Sequence, residues 1–213
     1  GTVIVALEAD FEKYLDAFLP FLVEGLRNHE EHQLCTISVG IVGDVCRSLA
    51  ERATKYSETL VLALFEDLQS PVLHRNVKPH ILSCFGDIAM AIGPAFESYL
   101  PTAMAVLQQA SMVQNAPDTA DYEMVEYVND LREGIAEAYV GIVSGFRMAG
   151  KADVLLPYMD YTLAFVGLVA SDSIDRSETL LRSTIGLVGD LATAYPTGPV
   201  MVKLQQPWVF EYI

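Results

Sequence analysis

This sequence predicts an all-α fold of stacked antiparallel helix pairs, and three observations predict it. An apolar pair followed by glycine, usually then aspartate, recurs late in successive apolar runs. Those runs place their apolar residues at helical spacing, and no stretch alternates polar and apolar residues as a strand would. The motif stands at Ile41-Val42-Gly43-Asp44, Cys84-Phe85-Gly86-Asp87 and Leu187-Val188-Gly189-Asp190, with a degenerate copy at Tyr139-Val140-Gly141-Ile142. Its glycines are 43, 55 and 48 residues apart.

That interval suits the helical hairpins of the HEAT class, which repeat at roughly 40–47 residues, with insertions in the longer units. The prediction is a HEAT-repeat α-solenoid of about four full repeats, approximately 11–54, 55–93, 94–148 and 150–196, with partial ones at each end, forming a single array over 1–213. In the first unit, helix A runs from about Phe11 to Arg27, with Tyr14, Leu15, Phe18, Leu22 and Leu26 on one stripe, and helix B from about Glu31 to Thr54. The second has A from about Tyr56 to Leu68 and B from about Leu73 to Ile92, separated by the breaker Gln69-Ser70-Pro71. The third has A at about Ala95 to Val113, a polar loop from Gln114 to Ala120, and B at about Asp121 to Arg147. The fourth has A at about Val154 to Ser171 and B at about Ser177 to Tyr195, with Ser177 as N-cap. Residues 1–10 fit the tail of a preceding B helix and Pro199 to Ile213 the start of a fifth A helix. Solenoids end in polar caps, whereas these ends are apolar (Trp208, Phe210, Ile213), so a fragment of a longer array is expected.

The recurring glycines have a structural cause. A missing side chain lets neighbouring helices approach closely, and that packing must offset roughly 0.5–1 kcal/mol per site against alanine. The aspartates beside them are placed to bond neighbouring repeats.

Composition narrows the function. Hydrophobic residues make up 52% and charged residues 19%, with a mean hydropathy of +0.30, too apolar for disorder. The most continuous apolar stretch, Leu155 to Ala170, is broken by Pro157 and Asp160 and falls short of the roughly 20 residues of a bilayer span. The apolar start lacks the basic lead of a signal peptide. Thirteen Lys and Arg against 28 Asp and Glu give a net charge of −15; such a surface repels nucleic acid and anionic lipid and attracts basic partners. Three cysteines without paired spacing indicate free thiols in a reducing compartment. His29, His32 and Cys35 offer three of the four ligands a structural zinc needs, with no fourth nearby, and belong to loop and surface. No phosphate-binding glycine loop or nucleophile elbow is present. Neither catalysis, cofactor nor metal is expected.

The third B helix carries the sharpest feature. Glu123, Glu126, Asp130, Glu133 and Glu137 are spaced 3, 4, 3 and 4, so all five carboxylates share a face opposite Val125, Val128, Leu131, Ile135 and Ile142. Like charges at this spacing cost a few tenths of a kcal/mol per pair. A solvated face on an acidic protein explains them; so does a docking stripe for a basic helix whose arginines fork onto carboxylates.

Several strings resemble one family. His74-Arg75-Asn76-Val77-Lys78-Pro79-His80-Ile81-Leu82-Ser83, continuing through Phe85-Gly86-Asp87-Ile88-Ala89, is similar to importin-β, the nuclear import receptor. So are Leu107-Gln108-Gln109-Ala110-Ser111 and the run from Asp121-Tyr122-Glu123-Met124-Val125-Glu126-Tyr127 through Leu131-Arg132-Glu133 to Glu137-Ala138-Tyr139. The likeness covers essentially the whole chain, strongest from about 40 to 145, and corresponds to repeats near the family's C-terminal end. It implies a right-handed superhelix with A helices outside and B helices inside. It also implies binding of the basic segment of importin-α on the inner face and of phenylalanine-glycine nucleoporins between A helices on the outer face. Ran would be bound by the full-length protein, whose amino-terminal Ran-binding repeats have no counterpart here. The implied place of work is the cytoplasm, the nucleus and the nuclear pore. On this reading Glu123, Glu126, Asp130, Glu133 and Glu137 meet the basic helix, and Tyr56 with Phe18 and Leu22 forms a phenylalanine-glycine cleft, unless Phe18 and Leu22 are core. A HEAT scaffold of another pathway and an α-helical enzyme remain as alternatives.

Overall fold

The computed structural model describes residues 1–113, 122–172 and 176–213. Among them there is no strand. The helices are α1 (Thr2–Leu7), α2 (Glu12–Leu26), α3 (His32–Leu49), α4 (Thr54–Gln69), α5 (Val77–Ile92), α6 (Leu100–Ser111), α7 (Tyr122–Met148), α8 (Met159–Ser171), α9 (Glu178–Ala194), α10 (Pro199–Leu204) and α11 (Pro207–Tyr212). They form two layers. The B helices α3, α5, α7 and α9 lie side by side in one layer, and the A helices α2, α4, α6 and α8 in the other. The chain is a HEAT-repeat solenoid.

The helix boundaries follow local chemistry. Helices α1, α3 and α5 each hand over to the next A helix through a sharp reversal: Glu8, Ala50 and Gly93 have φ of 48°, 48° and 51° and ψ of −132°, −131° and −127°. A short 3-10 segment begins at each of them, over Glu8–Phe11, Ala50–Ala53 and Gly93–Ser98. These reversals shorten two expected helices: the first B helix stops at Leu49 and the third A helix begins at Leu100, while the second A helix begins at Thr54, two residues before its expected start. The fourth A helix begins as 3-10 over Ala152–Tyr158 because Pro157 lacks the N–H that a regular helix needs there. Pro207 does more. It forces Gln206 into an extended conformation (φ −70°, ψ 149°) and splits the expected fifth A helix into α10 and α11. The polar loop expected from Gln114 to Ala120 lies outside the described residues. At α9, Ser177 caps the helix, its Oγ accepting from the Leu180 N–H at 3.0 Å.

The core runs the length of the array between the layers. Leu15, Leu22 and Leu26 of α2 meet Cys35, Val39 and Val42 of α3, and the series continues through Phe85, Phe96, Tyr139, Phe146 and Phe165. The layers differ in spacing. Side chains separate the A helices, whereas α5 and α7 touch backbone to backbone: a methyl placed on Gly86 would sit 2.6 Å from the Glu137 carbonyl oxygen. A curved array is concave on its more closely packed side, so the B helices form the hollow. Ion pairs stitch successive units across it. Arg47 bridges Asp44 of its own helix (2.7 Å) and Asp87 of the next B helix, and Arg147 lies 3.4 Å from Asp190.

Candidate functional site: an acidic inner face

Helix α7 supplies the hollow with its charge. Its apolar face is buried at Val128, Leu131, Ile135 and Ile142, which turns the opposite face toward solvent. Glu123, Glu126, Asp130 and Glu137 are exposed and Glu133 is half-buried. Asp130, Glu133 and Glu137 of the stripe line a cavity of about 450 Å³ between α3, α5 and α7, together with Gly40, Arg47, His80 and Ser83; Glu123 and Glu126 lie outside that lining. A second hollow of about 370 Å³ continues past Ser83 and Glu137 to Gly186 and Asp190 of α9.

The acids of this trough are not equivalent. Asp44 and Asp87 are neutralised by Arg47, and Asp190 faces Arg147. Glu123, at the outer end of α7, pairs with Arg75 at 3.2 Å, whose guanidinium also lies 5.6 Å from the centre of the Tyr127 ring. Glu126, Asp130, Glu133 and Glu137 have no cation partner among the described residues. Glu137 accepts a hydrogen bond from Ser83 Oγ at 2.6 Å, and Glu133 accepts one from Ser177 Oγ. Desolvation, joined by the Glu126 charge, raises the Asp130 carboxyl above its ordinary value near 3.8, while His80 acts in the opposite direction. Four carboxylates in a row, without a salt-bridged lysine or arginine among the described residues, form a strongly acidic surface.

The outer-face residues behave differently. Tyr56 is 4% exposed and Leu22 is 2% exposed, and Phe18 is half-buried, edge-on to Phe11 at 5.9 Å. None of the three lines the cavities beside α7 or the groove between α4 and α6. Tyr56 lies four residues before Leu60 and so begins the buried stripe that continues through Leu64 and Asp67; Lys55 then covers its ring, with Nζ 4.8 Å from the centroid. An open groove of mixed lining, with Gln69, Lys78 and Gln109 beside its apolar residues, lies one seam further on, between the A helices α4 and α6. It encloses about 370 Å³ and is lined by Phe65, Leu68, Val106 and Ala110, with Leu82 and Leu131 of the B layer as further lining. Phe65 and Val106 belong to no motif in the sequence; only the gap between two helices brings them together.

His29, His32 and Cys35 share no hydrogen-bond or stacking partner among the described residues. His29 bridges Asp67 (2.9 Å) and Ser70 (3.0 Å). His32 stacks on His74 with ring centroids 4.4 Å apart. Cys35 is buried rather than superficial, its thiol donating to the Leu26 carbonyl at 3.0 Å, and burial pushes it up to about 11.

A family model described as importin subunit beta-1-like, TPR repeats, matches residues 1–213. Importin subunit beta-1 of Schizosaccharomyces pombe is 45% identical over 98% of this chain and 24% of its own length. That of Arabidopsis thaliana is 43% identical over 90% and 22%. Among solved structures, importin beta crystallised from polyethylene glycol superposes with a TM-score of 0.92 at 44% identity, over 97% of this chain and 25% of its own. Kap95p with RanGDP (TM-score 0.89) and Kap95 with Nup1 (TM-score 0.88) are each 33% identical, over 98% of this chain and 24% of theirs. The chain thus spans about a quarter of the length of the relatives it matches. With a match along its whole length in sequence and in fold, the chain belongs to the importin subunit beta-1 family.

Proposed function

We propose that this chain is a docking segment of a nuclear transport receptor, holding a basic helix of the importin-α type in its acidic trough. The single observation that carries the reading is the row Glu126, Asp130, Glu133 and Glu137, which no lysine or arginine salt-bridges among the described residues. A helix with arginines three and four residues apart would present matching charges, and guanidinium–carboxylate forks are among the stronger charge-assisted hydrogen bonds. Family membership supports the transport role and displaces the alternative of a scaffold from another pathway.

The α4–α6 groove, with Phe65, Leu68 and Val106 in its lining, is the proposed seat for phenylalanine-glycine segments of nucleoporins, in place of Tyr56, Phe18 and Leu22; Kap95 forming a complex with Nup1 supports a nucleoporin as partner. Ran is a proposed partner of the full-length receptor, supported by Kap95p with RanGDP. The proposed places of work are the cytoplasm, the nucleus and the pore between them. The proposed role is binding, without catalysis or cofactor.

Fluorescence anisotropy of a labelled basic helical peptide tests the trough. Glu126→Lys with Asp130→Lys should weaken binding at least tenfold at low salt, about 1.4 kcal/mol, with a smaller loss at high salt. Unchanged affinity at low salt would remove the stripe from the site.

A further inference from the structure

The glycines of the inner layer fall into two groups. Those between α5 and α7 leave no room for a side chain. A methyl on Gly86 would meet the Glu137 carbonyl oxygen at 2.6 Å and the Ala138 Cα at 2.9 Å. One on Gly134 would meet Pro79, on Gly141 the Gly86 backbone, and on Gly145 the Ala89 backbone, each closer than the 3.0 Å that real side chains keep. These notches span α5 from Pro79 to Ala89, most of its length. At the two flanking seams the arrangement is different. On α3, the atoms nearest a methyl on Gly43 belong to the side chains of Asp87 and Arg47, and on α9 Gly186 and Gly189 have nothing within 4 Å.

We propose that α5 and α7 form one locked plate that carries the groove acids preformed, and that the array changes curvature at the α3–α5 and α7–α9 seams beside it. Backbones interlocked through glycine notches have no rotamers with which to accommodate sliding, because any shift drives a neighbouring Cβ into a carbonyl. The flanking seams are bridged by long or polar side chains, Arg47 to Asp87, Arg147 to Asp190 and Ser177 to Glu133, which reorient without moving the backbone far. Asp130, Glu133 and Glu137 therefore keep their positions relative to His80 and Ser83 of α5 while the rest of the superhelix bends. A plate set before its partner arrives lowers the ordering cost of binding. The mechanics hold whatever ligand occupies the groove, so they can fail or stand independently of the function proposed above.

Nitroxide pairs on exposed positions of adjacent inner helices test this by electron–electron distance measurement. The pairs are Ile37→Cys with Met90→Cys across α3–α5, His80→Cys with Met148→Cys across α5–α7, and Met148→Cys with Arg182→Cys across α7–α9. Going from low to molar salt screens the self-repulsion of a −15 chain and should move or narrow the flanking distributions. The α5–α7 distribution should stay the narrowest and unmoved. An α5–α7 distance that is the broadest, or that shifts as far as the others, overturns the proposal. Glycine substitutions give an independent reading. Gly141→Ala should lower Tm by at least about 5 °C, while Gly189→Ala, on an open helix face, should leave Tm unchanged or raise it. Equal responses at the two positions would also overturn it.

Discussion

Ala50 holds the backbone conformation that Gly93 holds one repeat later, φ 48° and ψ −131° against 51° and −127°. A methyl group is strained there and a hydrogen is not. Ala50→Gly should therefore stabilise the fold by about 1 kcal/mol, the relief of strain outweighing the extra freedom of the unfolded chain; a thermal melt showing a lower Tm would contradict the strain. Asp130 shows the opposite compromise, a local cost kept on the binding face. Desolvation and Glu126 raise its carboxyl in the folded state. The folded chain then holds that proton more tightly than the unfolded one, so stability falls as pH rises through the window above about 3.8. Asp130→Asn should raise Tm, by an increment that grows between pH 4 and pH 7, while weakening binding of the basic peptide. A pH-independent increment would show that the carboxyl is not strained by its surroundings.

At the scale of the helix, periodicity made most of the fold legible and failed where a helix boundary or an inter-helix gap decides the outcome. The 3.6-residue spacing of α7 was enough to separate its acids from Val128, Leu131, Ile135 and Ile142, because one helix fixes both faces. The same spacing buries Tyr56, since the apolar stripe of α4 begins at the tyrosine itself. The α4–α6 groove was not legible. Its lining comes from four helices, and no single stripe announces that Phe65 and Val106 stand across an opening. That groove makes its own prediction. Val106→Asp should cost a phenylalanine-glycine peptide most of its affinity, since a carboxylate would have to be desolvated against the ring, while Tyr56→Phe should change nothing. Titration by NMR shift perturbation checks both, and loss of binding with Tyr56→Phe alone would return the site to the first hairpins.

For the whole molecule, the account depends on which layer the partner meets. The chain carries −15 overall, so any basic peptide will be drawn to it at long range, and weak attraction alone says nothing about the trough. What distinguishes the inner face is that Arg47, Arg147 and Arg75 neutralise its neighbouring acids and leave one row on α7 open. Photo-cross-linking from successive positions of a basic helical peptide, followed by mapping of the attachment sites, reads this directly. The account predicts cross-links confined to α5 and α7 around Ser83, Asp130 and Glu137, repeating along the peptide every three to four residues. Cross-links spread over α2, α4, α6 and α8, or without helical phase, would contradict it.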